Sequence, residues 1–405
     1  MKMLKVRRRP DAAWGRRWGL KKYHIWLLLL LVSILLLSLQ WVLDQGTAEH
    51  HVARRLVKKH VMHDDVKTVL LWTPMYRMQQ WWHQGMGSFS GCRESLCTVT
   101  TDRSSFPYSS AVLFHTLDLK KPGAADLPTF KPPGQRWVFR ALESPVHIYL
   151  GHQNYTDLRL LDGVFDLTMT YKRNADIQDA YGWYQVKRAK YDDLAKNHVK
   201  KRTRFALWYV TNCNLSYTGG LRFQLVRKLQ KYMPVDIYGP CGMSDPCETV
   251  RSDVPKWWQC TQQMKRKYKF YLAFENSRCT DYITEKLWWA LHQGVLPVVV
   301  GPKIQNYKEL VPPNSFIHTD QFDNMLDLAN YLRRLDKNDT AYLEYFKWRE
   351  KYEVMIGPRE PPWCRLCEEL HSKAIIREKP YKISEYFSKQ TDCMEGYHSS
   401  GLRDG

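Results

Sequence analysis

The stretch Tyr271–Gly301, YLAFENSRCTDYITEKLWWALHQGVLPVVVG, constrains the fold of this chain more than any other. Tyr271–Phe274 is a short apolar run, which Glu275-Asn276-Ser277 breaks with hydrogen-bonding side chains. Asp281 is placed to cap a helix in which Ile283, Leu287, Ala290 and Leu291 recur at helical spacing, and Gly294 is placed to end it. Leu296–Val300 is apolar and largely β-branched, as in a buried parallel strand, with Pro297 tolerable only near its start. Strand, loop, helix and strand make a βαβ unit, and ligands in folds built from such units sit at the carboxyl ends of the strands. Glu285 and Lys286 fall near the first helical turn, where a helix N-terminus beside a lysine is a natural anion site. The plainer alternative is a glutamate and a lysine on a solvated helix face.

The alternation extends along the chain. Strand patterns occur at Val69–Pro74, Ser110–His115, Arg136–Leu142 and Phe165–Tyr171, before a charged, helical connector at Tyr191–Arg204. Beyond it come a strand at Phe205–Val210, a loop at Thr211–Gly220 and a helix at Leu221–Tyr232. A strand at Val235–Tyr238 and an irregular Cys-rich insertion at 239–264 follow. After the central unit, Ser315–His318 reads as a strand, and Met325–Arg334 and Ala341–Lys351 as helices. This pattern predicts an α/β fold with two Rossmann-like domains, 68–190 and 191–360, facing a cleft, and a Cys-containing C-terminal tail at 361–405.

The N-terminus speaks to compartment. Residues 1–24 are basic, with nine Lys or Arg in the first 22. Residues 25–43 are almost wholly apolar, which predicts a transmembrane signal-anchor, and 44–67 is a polar stem. Positive charge before the span places the N-terminus in the cytosol and the body in the lumen. Sequons at Asn154, Asn214 and Asn338 agree with a luminal body. There, ten cysteines read as structural disulfides, and Cys364 and Cys367 are candidates for them. Their Cys-x-x-Cys spacing suits half a zinc site, but no second pair at matching spacing follows. The net charge of +20 is partly this basic tail, and no nucleic-acid-binding module is evident.

No Asp-x-Asp occurs, the pair on which many nucleotide-sugar transferases hold a divalent metal. In such an enzyme basic side chains and helix dipoles would face the diphosphate instead. Arg222, opening a helix after Gly219-Gly220, and Lys286 suit that task, though either also reads as a surface cation. Glu143 ends a strand before Ser144-Pro145 and is the candidate general base; the alternative is an exposed loop carboxylate.

FYLAFENSRCTDYITEKLWWAL followed by GVLPVVVG resembles the C-terminal signature of the α-1,3-fucosyltransferases, glycosyltransferase family 10. Lys131–Pro145 (KPPGQRWVFRALESP) resembles their N-domain segment, and Thr211-Asn212-Cys213 resembles the start of their donor domain. Tyr171–Gly182 (YKRNADIQDAYG) is similar to their acceptor motif, with Lys172, Asn174 and Ala175 where the family usually has Arg, Asp and Ser. The resemblance implies a GT-B fold, a GDP-fucose donor and inverting transfer to an N-acetylglucosamine hydroxyl of a glycoprotein or glycolipid glycan. It implies Glu143 as catalytic base and Arg222 and Lys286 as diphosphate ligands. Glu285 and Tyr282 would contact the ribose and donor, Asn276 would be a further donor contact, and Glu275 and Ser277 belong to the same loop. It also implies a single-pass type II protein of the Golgi membrane, with no cofactor required for the chemistry and manganese stimulation left open. A protein O-fucosyltransferase of the same fold, acting on Ser or Thr, and a non-catalytic luminal GDP-fucose- or glycan-binding protein are the alternatives.

Overall fold

Short runs of branched and aromatic residues become the strands of two parallel sheets. A computed structural model of the chain describes residues 65–75, 85–119, 126–150, 157–187, 202–212, 218–248, 254–372 and 380–394. The expected span at 25–43, Asn154, Asn214 and most of the connector lie outside these residues. Among the described residues no helix is long and apolar enough to cross a membrane.

The first sheet is built from β1 (Lys67–Leu71), β2 (Cys97–Thr100), β3 (Ala111–His115), β4 (Arg136–Ala141), β5 (Leu167–Thr170) and β6 (Ile177–Gln178). Their order is β2-β1-β3-β4-β5-β6, and every pairing is parallel. After β7 (Gly182–Val186), the second sheet uses β8 (Arg204–Tyr209), β9 (Val235–Tyr238), β10 (Tyr268–Phe274), β11 (Leu296–Val300) and β12 (Ile317–His318). It runs β12-β11-β10-β8-β9, again parallel throughout. Parallel strands covered on both faces read as unbroken apolar runs, and all five residues of both β3 and β11 are buried.

The helices are α1 (Pro145–Leu150), α2 (Thr218–Gln230), α3 (Val254–Lys265), α4 (Glu285–His292), α5 (Ile304–Leu310), α6 (Met325–Lys337) and α7 (Asp339–Glu344). Asn338, the sequon residue within the described structure, is exposed and caps α7, its side chain accepting from Ala341 N. The central unit forms as expected: β10, α4 and β11 are consecutive, and Gly294 follows the helix with φ 69°.

Three local expectations are corrected. Asp281 does not cap α4; the cap residue is Thr284, whose backbone N–H donates to the Glu275 carboxylate at 2.8 Å. Gly219 and Gly220 lie inside the first turn of α2, not in a loop before it. The supposed irregular insertion at 239–264 contains α3, tied to the preceding segment by the Cys247–Cys260 disulfide.

The last described residues return to the first sheet. In α8 (Pro362–His371), Trp363 and Leu366 join the core formed by Val69, Leu71, Val99 and Leu113. Cys364 pairs with Cys92 and Cys367 with Cys97, so both candidate cysteines are bonded to the segment around β2. In the next strap, α9 (Ile383–Tyr386) leads to Phe387, which meets Phe139 edge-on at 5.6 Å. After α10 (Lys389–Asp392), Cys393 is bonded to Cys279 in the loop following β10. An antiparallel pair, β7 with β13 (Tyr352–Ile356), was not foreseen. Gly182 starts it where any Cβ would stand 2.4 Å from the Trp288 ring.

Candidate active site

The loops after β4 and β10 meet at a cleft of about 420 Å³. Glu143 and His147 line it from the β4 side, and Asn276, Glu285, Lys286, Arg222, Lys265 and Tyr271 are among its residues on the other. Five sequence-predicted site residues therefore share one cavity: Glu143, Arg222, Asn276, Glu285 and Lys286. A larger cavity of about 590 Å³, bordered by Asp157, Arg159, Ser384 and Lys389, contains none of them. Convergence of ionisable groups, not size, marks the site.

Glu143 follows β4 and is half-buried. Its Oε2 accepts from the Tyr282 hydroxyl at 2.7 Å and from Asn276 Nδ2 at 3.2 Å. Both donors come from the loop after β10. Its Oε1 takes no hydrogen bond among the described residues, so one oxygen is held and the other remains open. Such a carboxylate suits proton abstraction from a group in the cleft.

Three other predicted residues stand behind the cleft wall. Tyr282 is 1% exposed, Ser277 4% and Glu275 0%, and none lines the cavity. The Glu275 carboxylate accepts from Thr284 Oγ1 at 2.8 and 3.0 Å and pairs with Lys286 Nζ at 3.2 Å. Ser277 accepts from Ser144 Oγ at 2.6 Å and donates to Asn276 Oδ1 at 3.1 Å, which fixes the orientation of the Asn276 amide.

The opposite wall is cationic. Burial disfavours the Lys286 ammonium, but the charges of Glu275 and Glu285 outweigh it and hold the group well above its usual range. Arg222 is buried, donating from Nη1 to the Phe274 carbonyl at 3.2 Å, with Nε unpaired among the described residues. An unpaired buried donor at a cleft wall is suited to an anionic ligand.

Sequence reasoning missed Lys265, which ends α3 and lines the same cavity. Its Nζ stands 5.0 Å from the centre of the Tyr271 ring and 5.9 Å from that of Tyr209. Burial pushes its ammonium down to about 8, against the pull of Glu285. No local motif marks Lys265; only the unread helix brings it there. Tyr209, Trp257, Tyr271 and Trp289 add aromatic surface around these cations.

The Tyr171–Gly182 segment serves the framework. Lys172 is buried, and its Nζ donates to Asp392 at 2.9 Å and to the Tyr386 carbonyl at 2.6 Å. Arg173 Nε donates to Asp281 Oδ1 at 2.9 Å, which ties the loop after β10 to the segment after β5.

Residues 64–182 match the sequence model described as "Fucosyltransferase, N-terminal", and residues 199–386 that described as "Glycosyltransferase family 10 (fucosyltransferase) C-term". The 3-galactosyl-N-acetylglucosaminide 4-alpha-L-fucosyltransferase FUT3 of Bos taurus is 36% identical over 330 residues, 79% of this chain and 81% of that protein. The 4-galactosyl-N-acetylglucosaminide 3-alpha-L-fucosyltransferase FUT5 of Homo sapiens is 37% identical over 284 residues, 69% of each. A solved α1,3-fucosyltransferase with GDP-fucose superposes with a TM-score of 0.46 at 16% identity, covering 77% of this chain and 92% of that one.

Proposed function

We propose, for a chain that belongs to glycosyltransferase family 10, the fucosyltransferases, that it is an inverting α-1,3-fucosyltransferase. It transfers L-fucose from GDP-fucose to an N-acetylglucosamine hydroxyl of a glycoprotein or glycolipid glycan. The observation that carries this reading is that Glu143, with both of its hydrogen bonds on Oε2, lines the same cleft as Arg222 and Lys286.

In this mechanism Glu143 takes the proton of the acceptor hydroxyl as its oxygen attacks the anomeric carbon. The bond from that carbon to the diphosphate breaks on the opposite face, through an oxocarbenium-like transition state. Negative charge gathers on the departing GDP, where Arg222, Lys286 and the N-terminus of α4 stabilise it. Glu285 and Asn276 act as further donor contacts, and Glu275 and Ser277 support them from behind. No cofactor is required in this scheme. The two sheets form a GT-B pair of domains, 68–190 and 191–360, and the protein resides in the Golgi membrane through residues 25–43. The apolar composition of that segment and the disulfides of the body support the last point.

An acceptor array with labelled GDP-fucose and linkage analysis tests the proposal. The expected product is fucose α-1,3-linked to N-acetylglucosamine, with GDP released stoichiometrically. Transfer to Ser or Thr peptides alone would replace the glycan acceptor by a protein one. GDP binding without transfer to any acceptor would sink the enzymatic reading.

A further inference from the structure

We propose that Lys265 selects the nucleobase of the donor, its ammonium donating to O6 of guanine. On this assignment the base lies against the aromatic surface that α3 shares with β8, β10 and α4. The inference rests on the reading of the cleft as the GDP-fucose site.

One face of α3 is turned to the cleft. Trp257, Thr261 and Lys265 recur four apart, so they share a face of the helix, and all three line the cavity. The Cys247–Cys260 disulfide fastens that helix to the segment before it. At its end Lys265 is half-buried, with its ammonium near two tyrosine rings, Tyr271 at 5.0 Å and Tyr209 at 5.9 Å. Tyr209 in turn meets the Trp257 ring at 6.5 Å. Among the described residues Lys265 makes no hydrogen bond or ion pair, whereas Lys286 is paired with Glu275 and Glu285. A half-buried ammonium held by rings alone keeps its donors for a ligand.

The order of charges along the cleft puts Lys265 at the nucleoside end. Glu143 and Arg222 both bear on Lys286, but the charges that bear on Lys265 are Glu285 and Lys286. With the diphosphate on Arg222 and Lys286 and the fucose carbon at Glu143, the nucleoside extends the other way, past Glu285. There it meets the aromatic part of the lining, Tyr209, Trp257, Tyr271 and Trp289. Aromatic faces hold any base, because every base has a π-face, so they supply affinity without choice. Choice needs a contact to an edge. Guanine presents O6 and N7, both acceptors, whereas adenine presents an amino group where guanine has O6. An ammonium has donors only, so it pairs with the guanine edge and meets another donor on adenine.

The test measures binding of GDP, inosine diphosphate and ADP to the full chain by calorimetry at about pH 7, where Lys265 is charged. In Lys265→Met, GDP and inosine diphosphate are expected to bind about tenfold more weakly, and ADP to change by less than about twofold. An equal loss for all three would make Lys265 a diphosphate cation and overturn the inference, as would an unaltered preference for GDP over ADP. Inosine diphosphate keeps O6 and N7 but lacks the 2-amino group, so the unaltered chain is expected to bind it nearly as tightly as GDP. Binding as weak as that of ADP would place the choice at the amino group and also overturn the inference. Should the methionine variant fail to fold, 6-thio-GDP tests the unaltered chain. Its sulfur is a weak acceptor, so about tenfold weaker binding is expected, and an affinity equal to that of GDP refutes the contact. If no nucleotide binds the unaltered chain, the donor-site reading itself falls. GDP binding with no preference over ADP removes only the role of Lys265.

Discussion

The ends of β4 and β10 each deliver a glutamate to the same neighbourhood, and the two have opposite fates. Glu275, directly after β10, is wholly buried, with Thr284 and Lys286 gathered on its carboxylate. Glu143, after β4, is half-buried, with two donors on one oxygen and none on the other. Burial raises the Glu275 carboxyl above its usual range, while Lys286 and the Thr284 hydrogen bonds pull it back. A strand end thus brings a carboxylate to the cleft, but its partners decide its work. With its partners close around it, Glu275 is a strut that starts α4 and steers Lys286. With one oxygen open, Glu143 is placed to act as the reagent proposed above.

The contrast breaks most sharply on substitution. Glu143→Ala is expected to lower kcat by about 10²- to 10⁴-fold with GDP affinity unchanged, and to lower stability by about 1–3 kcal/mol, from the buried Tyr282 hydroxyl left without its acceptor. A stability loss with turnover retained would make Glu143 the strut. Glu275→Ala should destabilise the fold by about 1–3 kcal/mol in denaturant titration, because the buried N–H and hydroxyl of Thr284 lose their acceptor while Lys286 keeps only Glu285. If that variant melts normally and only donor KM rises, Glu275 is a ligand and the distinction fails.

The smallest effect sharpens the assignment of the β10 side to the donor. Lys265 is held near a pKa of about 8, so its charge is lost as pH rises through that value. A bound diphosphate favours the charged form, so GDP affinity measured by calorimetry should fall between about pH 7 and about pH 9. Lys265→Arg, which keeps its charge, should flatten that dependence, and Lys265→Met should weaken binding by about tenfold at the lower pH. A dependence unchanged in both variants would remove Lys265 from donor binding.

Much of this arrangement was legible in the residues. The apolar runs of β3, β10 and β11 announce buried parallel strands because both of their faces are covered. Glu143, Arg222, Asn276, Glu285 and Lys286 all fall where strand ends and helix starts direct them. What escaped was non-local. The start of α4 is fixed by Glu275, nine positions before the Thr284 it caps, which local capping rules do not anticipate. The pairing of β7 with β13 joins residues far apart in the chain. Polar residues and Pro255 obscured α3, and Lys265 was lost with it. Burial behind the wall left no local trace at Tyr282, whose aromatic ring reads the same in sequence whether it lines a cleft or stands behind it.

The disulfides that join α8 to the region of β2 have a consequence for how the protein is made. Cys92–Cys364 and Cys97–Cys367 span 272 and 270 residues, and Cys279–Cys393 spans 114. At a synthesis rate of about 5–20 residues per second, the first two cysteines wait roughly 10–50 s on a growing chain before their partners exist. Over that interval they meet each other and every thiol between. Native pairing therefore calls for exchange of early, mistaken bonds by thiolate attack. A ribosome that stops short of Cys364 leaves both cysteines near β2 without their native partners, and one that stops short of Cys393 leaves the loop after β10 without its disulfide.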